Sequence, residues 1–140
     1  MLSIYPACFF KEDIGYSVIF PDLNYLSTCG DTLDEAMNMA IDCLAGFLYS
    51  AKLDNETIPS PSPLDKVDAV SIAKEIGLEP SKSFVNLVAV DVAEYAKSHF
   101  NRSVKKTLTI PEWLNKEALS KNINFSQVLQ EALIAKLHSL

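Results

Sequence analysis

The chain has 140 residues, of which 49% are hydrophobic and 21% are charged, and its formal net charge is −6. This length suits one domain of ordinary size, or a small domain with an additional, smaller unit. The composition excludes a chain that is disordered throughout. No apolar run approaches the roughly 18–20 residues that span a bilayer, and no signal-peptide pattern opens the sequence, so we expect a cytoplasmic protein with no membrane contact.

The cysteines and histidines offer little to a metal ion or to a disulfide framework. Cys8, Cys29 and Cys43 are odd in number and widely spaced, and residues 1–98 contain no histidine. A structural zinc site needs four clustered nitrogen or sulfur ligands, which cannot be assembled here. We therefore expect reduced cysteines, no metal site and no cofactor.

Charge is distributed unequally along the chain. Residues 1–103 contain 7 basic and 15 acidic residues, a balance of −8, whereas residues 104–140 contain 5 lysines and 3 glutamates, a balance of +2. An acidic body suits a basic partner protein and repels nucleic acid, while a basic tail does the reverse. The two ends are therefore expected to have different partners.

The N-terminal part predicts a hairpin, a short third strand and a helix. Residues 2–10 and 16–20 are rich in β-forming residues and flank a polar loop that contains Gly15. A third strand fits residues 26–29. The helix, about 33–50, should pack one apolar face on the sheet. That face carries Ala36, Ala40, Leu44, Phe47 and Leu48.

A capping box predicts where this helix begins. Thr32 is suited to be its N-cap, and Glu35, three residues later, is suited to bond back to the cap.

The middle of the chain contains an extended connector, a short helix and a strand. Prolines at alternate positions, 59, 61 and 63, favour extended backbone, which indicates a spacer that crosses the sheet or contributes to partner binding. A short helix over 66–76 should end at Gly77. The nearly continuous apolar run 84–92 predicts a central strand. A helical turn follows, and residues 99–103 read as a linker that includes His99.

The C-terminal residues 104–140 carry the most specific pattern. Residues 104–110 alternate in character, so that Lys105, Thr107 and Thr109 share one face. Pro111 then starts a first helix, and Asn124 with Gln127 caps a second. One strand and two helices offer too small a core to be stable alone, so we expect the strand to pair antiparallel with that of a second chain.

Such a two-stranded ribbon fits the major groove of DNA. Its outward side chains, Lys105, Thr107 and Thr109, would meet the DNA there. The start of the second helix, at Asn124, Phe125 and Ser126, would offer backbone N–H groups to a phosphate. The alternative to DNA binding is that residues 104–140 form an oligomerisation hairpin, whose lysine and threonine side chains only face solvent.

Taken in order, these segments resemble HicB-type antitoxins of HicA–HicB toxin–antitoxin systems, with a ribbon-helix-helix C-terminus. Where the family often has Pro-Gly-Cys, this chain has Asn24-Tyr25-Leu26, which alters one turn. The segments that carry the resemblance are Tyr5-Pro6-Ala7, Gly15-Tyr16-Ser17-Val18, Phe20-Pro21-Asp22-Leu23, Gly30-Asp31-Thr32-Leu33, Glu35-Ala36, Ile58-Pro59-Ser60-Pro61-Ser62, Val88-Ala89-Val90-Asp91-Val92, Leu108-Thr109-Ile110-Pro111 and Asn124-Phe125-Ser126-Gln127.

The resemblance implies an α+β chain with three parts. Residues 1–98 would form a partly degenerate RNase H-like domain that binds the toxin, 99–103 a linker, and 104–140 a dimeric ribbon-helix-helix domain that binds operator DNA. The toxin, HicA, would be a small basic ribonuclease that cleaves mRNA, and the antitoxin would obstruct its active site and repress its own operon.

Two further expectations concern partners. By position and acidity, Tyr16, Asp22 and Tyr25 are the candidate toxin contacts. The homodimer through 104–140 could associate further, into a dimer of dimers, through the N-terminal sheet.

We expect no enzymatic activity. Two-metal hydrolysis needs several carboxylates that converge on the metals, and no acidic residue interrupts the first strand. The alternative function is a stand-alone ribbon-helix-helix regulator whose N-terminal domain senses a small molecule. The missing histidines in residues 1–98 argue against a metal sensor.

Overall fold

The computed structural model describes residues 1–100 and 103–140, and the chain divides into two compact units, Met1–Arg102 and Ser103–Leu140. Together the elements form a mixed α/β structure, and none of the helices in the described residues is long and apolar enough to cross a membrane. The elements are β1 (Ser3–Lys11), β2 (Tyr16–Phe20), β3 (Leu26–Gly30), α1 (Leu33–Leu53), α2 (Ala69–Ile76), β4 (Ser83–Val90), α3 (Val92–His99), α4 (Glu112–Ser120) and α5 (Phe125–His138).

The four strands form one antiparallel sheet in the order β3-β2-β1-β4. β1 pairs with β4 along its length, from Ser3↔Val90 to Phe10↔Ser83. Its pairing with β2 runs only over Cys8–Lys11, so Pro6 has no β2 residue opposite it. The N–H that proline lacks is therefore not needed by the β1–β2 ladder.

The prediction that residues 84–92 form a central strand is wrong in position, because β4 lies at the edge of the sheet. Val88 and Val90 are buried against the α1 side, but Phe84 and Leu87 are exposed. The apolar run therefore does not reflect burial on both faces.

The sheet is covered on both faces, unequally. On one face α1 packs over the larger core, to which the predicted inward residues Ala36, Ala40, Leu44 and Leu48 contribute, and Phe47 packs half-buried at its margin. On the other face α2 contributes Ala69 and Ala73. Their partners from the sheet there are Cys8, Phe10 and Ile19.

The start of α1 follows the predicted cap with one change of partner. The Thr32 hydroxyl oxygen accepts the Glu35 N–H at 3.1 Å, as a capping box requires. The Glu35 carboxylate, however, accepts the N–H of Asp31 at 3.1 Å, one residue before the expected donor. α1 extends to Leu53, three residues beyond the predicted end.

One further expectation depends on a second chain, and another is corrected. Residues 103–111 adopt neither helix nor strand in the single chain, because a β-strand needs a hydrogen-bonded neighbour and this unit contains none. His99, expected in a linker, is the last residue of α3, where its ring stacks on Tyr95 with centroids 3.8 Å apart. The remainder of the predicted linker includes Asn101 and Arg102, which lie outside the described residues.

Candidate protein-binding and DNA-binding surfaces

The residues predicted to contact DNA are exposed in the C-terminal unit. Lys105, Thr107 and Thr109 lie in the segment before α4. At the start of α5, the Asn124 side chain accepts the Gln127 N–H at 3.1 Å. Gln127 does not complete the predicted box, because its amide donates to Glu131 instead. The N–H groups of Phe125 and Ser126 belong to the first turn of α5, where a helix attracts anions.

The C-terminal unit leaves its apolar side chains exposed. Across residues 103–140, all of which the structure describes, Ala118 alone is buried, and on the same helix Leu114 and Trp113 are 40% and 62% exposed. A unit with so little burial cannot offset the entropy of ordering its chain. The other large exposed apolar residues are Val104, Leu108, Ile110, Leu119, Ile123, Phe125, Val128, Leu133, Ile134, Leu137 and Leu140.

The three predicted toxin contacts lie apart in the N-terminal unit. Tyr16 begins β2 opposite Gly30, is half-buried, and has the Lys11 ammonium 5.8 Å from its ring centroid. Asp22 and Tyr25 follow the other end of β2. Tyr25 is exposed, and like Asn24 it has a φ of +57°, so the turn altered from the family pattern contains two left-handed residues.

Asp22 has a structural partner that sequence reasoning did not identify. Its carboxylate accepts hydrogen bonds from the N–H of Ser62 at 2.8 Å and from the Ser62 hydroxyl at 2.6 Å. Nearby, the Tyr5 hydroxyl donates to the carbonyl oxygen of Pro59 at 2.5 Å. Burial, and then the Asp22 carboxylate, raise the pKa of Tyr5. These bonds attach the proline-rich connector to the end of the sheet as it passes from the α1 face to the α2 face.

Acidic residues gather at the opposite end of the sheet. Gly15 in the β1–β2 loop lies against Gly30, since a Cβ on Gly15 would lie 2.3 Å from the Gly30 oxygen. The loop and the start of α1 therefore meet at one surface, which we call the acidic end. Its exposed carboxylates are Glu12, Asp13, Asp31, Asp34 and Glu35.

Tyr16 lies at the acidic end, because it pairs with Gly30. Ile14 and Leu33 add exposed apolar side chains to the same loop and helix start. An apolar patch rimmed with negative charge is suited to a basic protein partner.

A cavity of about 970 Å³ lies between α1, α3 and the start of β1. Its walls are mainly apolar and include Leu48, Ile58, Val92 and Phe100, with Lys52 and Lys97 also in the lining. The neighbouring Asp91 is already engaged, because it caps α3 through the Glu94 N–H and pairs with the N-terminal amine at 3.1 Å. These two contacts, the Glu94 bond first, hold the pKa of Asp91 below its usual value.

The described residues contain no group of three or more His, Cys, Asp or Glu side chains that could hold a metal ion. The three cysteines are free thiols. Burial, and then the nearby Asp68, raise the pKa of Cys8 to about 11, so this thiol stays protonated at neutral pH.

Comparison with known proteins identifies close similarity to antitoxins. The Antitoxin HicB 1 protein of Photorhabdus laumondii is 43% identical over 68 residues, which cover 46% of this chain and 44% of that protein. Antitoxin HicB 2 of the same organism is 40% identical over 58 residues, covering 41% and 42%. The matched regions thus span less than half the length of these curated relatives.

A solved structure and a family model extend the similarity over nearly the whole chain. A chain of a toxin–antitoxin complex from Streptococcus pneumoniae is 33% identical with a TM-score of 0.65, and the alignment covers 97% of this chain and 99% of that one. The model of the family described as the HicB_like antitoxin of bacterial toxin-antitoxin systems matches residues 5–137. The chain therefore belongs to the HicB-like antitoxin family.

Proposed function

We propose that this chain is a non-enzymatic antitoxin that also represses its own operon. The N-terminal unit would bind a HicA-type toxin, a small basic ribonuclease that cleaves mRNA, and obstruct its active site. The C-terminal unit would dimerise as a ribbon-helix-helix domain and bind operator DNA. Both targets place the protein in the cytoplasm.

Toxin binding and DNA binding are assigned to the two predicted domains. Residues 1–98 are the proposed RNase H-like toxin-binding domain, 99–103 the linker and 104–140 the DNA-binding domain. The family match is the observation that carries the antitoxin function. The exposed apolar side chains of residues 103–140 support a dimer through this unit, because a second copy would cover them.

Within the N-terminal unit, the acidic end is the favoured toxin surface. It combines Tyr16 with five exposed carboxylates, and a basic toxin supplies the opposite charge. Asp22 is less suited to this role because both of its carboxylate oxygens already bind Ser62. Tyr25 lies at the far end of β2 and represents the competing location.

The toxin contact is tested with a purified HicA-type toxin and an RNA substrate. Asp13→Lys with Asp34→Lys should weaken protection of the RNA at least tenfold, because two attractive charges become repulsive. The matched control is Asp65→Lys with Glu75→Lys, which makes the same charge change elsewhere. If both pairs of variants lost protection of the RNA equally, the acidic end would be excluded as the toxin surface. If only Tyr25→Ala lost protection, the contact would lie at the other end of β2. A wild-type protein that protects no RNA would exclude the antitoxin function.

The DNA contact is tested by titrating operator fragments at several salt concentrations. Lys105→Ala should lower the slope of log K against log[salt] by about one unit, since one phosphate contact is lost. Thr107→Ala should relax sequence discrimination with an unchanged slope. Lys74→Ala, on α2, is the control and should leave both quantities unchanged. An unchanged slope for Lys105→Ala would remove this residue from the phosphate contacts.

The cavity favours one second candidate, a regulator that senses a small molecule in its N-terminal domain. Its volume of about 970 Å³ lies within the range of small-molecule sites, about 300–1,000 Å³. If this candidate is correct, the purified protein should bind operator DNA without any associated toxin, and filling the cavity with Ala96→Trp should change the DNA affinity.

A further inference from the structure

The cavity beside α3 is built from four segments of the N-terminal unit. Its lining comes from the start of β1, the last turns of α1, the connector at Ile58 and the helix α3. The end of α1 contributes Leu48 and Tyr49, and α3 contributes Val92 and Ala96. Walls of this composition favour a ligand with an apolar body.

The walls of the cavity are held in place by contacts between these segments. The Tyr95 hydroxyl donates to Asp42 at 2.8 Å, which joins α3 to α1. The rings of Tyr49 and Phe100 pack with their centroids 5.4 Å apart. The Tyr5 hydroxyl holds the connector at Pro59, as described above. Because the cavity is formed before a ligand arrives, binding costs less conformational entropy.

The charged side chains in the lining are mainly basic, although the N-terminal unit as a whole is acidic. They are Lys52, Lys97 and Asp91, and Asp91 is already paired with the N-terminal amine at 3.1 Å. Lys52, in the last turn of α1, has no ion-pair partner among the described residues. Lys97 pairs with Glu94, but both side chains are mostly exposed, and such a surface pair contributes little. The cavity therefore favours an anion.

We propose that this cavity binds a small amphipathic carboxylate, with its apolar body between α1 and α3 and its carboxylate at Lys52 and Lys97. Because Lys97 already pairs with Glu94, the positive charge that remains balances one negative charge. This balance favours a carboxylate over a doubly charged phosphate. A single alkyl chain that carries one carboxylate, as in a medium-chain fatty acid, has the required chemistry.

The site itself depends on neither of the proposed functions. Only an effect of the ligand on DNA affinity rests on the second candidate function, in which the N-terminal domain senses a small molecule. Ligand binding and operator affinity are therefore measured separately.

The charge of the site is tested by titrating octanoate into the full chain and following the heat of binding by calorimetry. Wild-type protein should bind one octanoate per chain. Lys52→Glu should weaken this binding at least about tenfold, because an attractive charge becomes repulsive. Lys74→Glu makes the same charge change on α2 and should leave the affinity unchanged. The uncharged analogue 1-octanol should bind at least about tenfold more weakly than octanoate, because it offers no charge to the lysines.

The location of the site is tested by filling the cavity. Ala96→Trp places a large ring in the lining and should abolish octanoate binding. If circular dichroism shows that Ala96→Trp is unfolded, Ala93→Trp replaces it, since Ala93 also lines the cavity and is exposed.

The outcomes separate the site from its consequence. A wild-type protein that does not bind octanoate overturns the proposal, and so does a folded cavity-filling variant that binds it as the wild type does. Equal losses in Lys52→Glu and Lys74→Glu, or equal affinities for octanoate and 1-octanol, overturn the carboxylate as the ligand class. If octanoate binds but leaves the affinity for operator DNA unchanged, only the sensing function is excluded.

Discussion

Asp22 is the residue that attaches the proline-rich connector to the sheet. Its carboxylate accepts two hydrogen bonds from Ser62, at 2.8 and 2.6 Å, in a partly buried setting. Hydrogen bonds to a charged acceptor contribute about 1.5–3 kcal/mol to stability. We therefore expect Asp22→Ala to lower the free energy of unfolding by about 1.5–3 kcal/mol, measured by urea denaturation.

The control for this prediction is Asp65→Ala. Asp65 is an exposed carboxylate in the following turn, so its loss should change the free energy of unfolding by less than about 0.5 kcal/mol. The Asp22 variant should also be cleaved faster by protease within residues 54–63, because the connector loses its attachment. If both variants were equally stable, the Asp22–Ser62 bonds would contribute nothing to the fold.

Sequence reasoning at the residue scale identified caps better than contacts between distant residues. Thr32 and Asn124 were predicted as N-caps from their spacing to Glu35 and Gln127, and both side chains accept those N–H groups. The Asp22–Ser62 bonds join residues 40 positions apart. No local pattern encodes such a pairing, and for this reason Asp22 was interpreted as a free surface carboxylate.

The junction between β3 and α1 depends on a residue without a side chain. A Cβ on Gly30 would lie 2.4 Å from the Ala36 nitrogen and 2.7 Å from its Cα, which are backbone atoms of the first turn of α1. Because those atoms cannot move without displacing the helix, Gly30→Ala should lower the free energy of unfolding by at least about 1–3 kcal/mol.

Gly46, inside α1, provides the matched control. A Cβ there would meet only the Phe100 ring, at an ordinary 3.8 Å. Gly46→Ala should therefore be neutral or stabilise the protein by up to about 1 kcal/mol, the difference in helix propensity. Urea denaturation of both variants checks the pair, and a Gly30→Ala protein as stable as Gly46→Ala would show that β3 and α1 can separate freely.

At the scale of elements, local patterns predicted where strands and helices lie but not how strands are arranged. Residues 16–20 and the helix starting at 33 agree with the structure because β-forming composition and helix capping are local signals. The edge position of β4 depends on its neighbours, which are remote in sequence. The segment 104–110 illustrates the same limit more strongly, since its proposed pairing partner is on another chain.

At the scale of the whole molecule, the two units differ in how far they can be stable by themselves. The N-terminal unit has two buried clusters, one on each face of its sheet. The C-terminal unit buries only Ala118 among residues 103–140, all of them described. The proposed dimer would supply the missing burial, so the stability of this unit should depend on protein concentration.

Trp113 gives a specific signal for that dependence, because it is the chain's single tryptophan and lies on α4. We expect the midpoint of thermal unfolding, followed by tryptophan fluorescence, to rise by several degrees when the protein is concentrated about a hundredfold, since each tenfold adds about 1.4 kcal/mol to an association equilibrium. Leu133→Glu should lower the midpoint and remove its concentration dependence. A wild-type midpoint that did not move with concentration would mean that residues 103–140 are stable without a second copy, and the exposed apolar faces of α4 and α5 would then need a different partner.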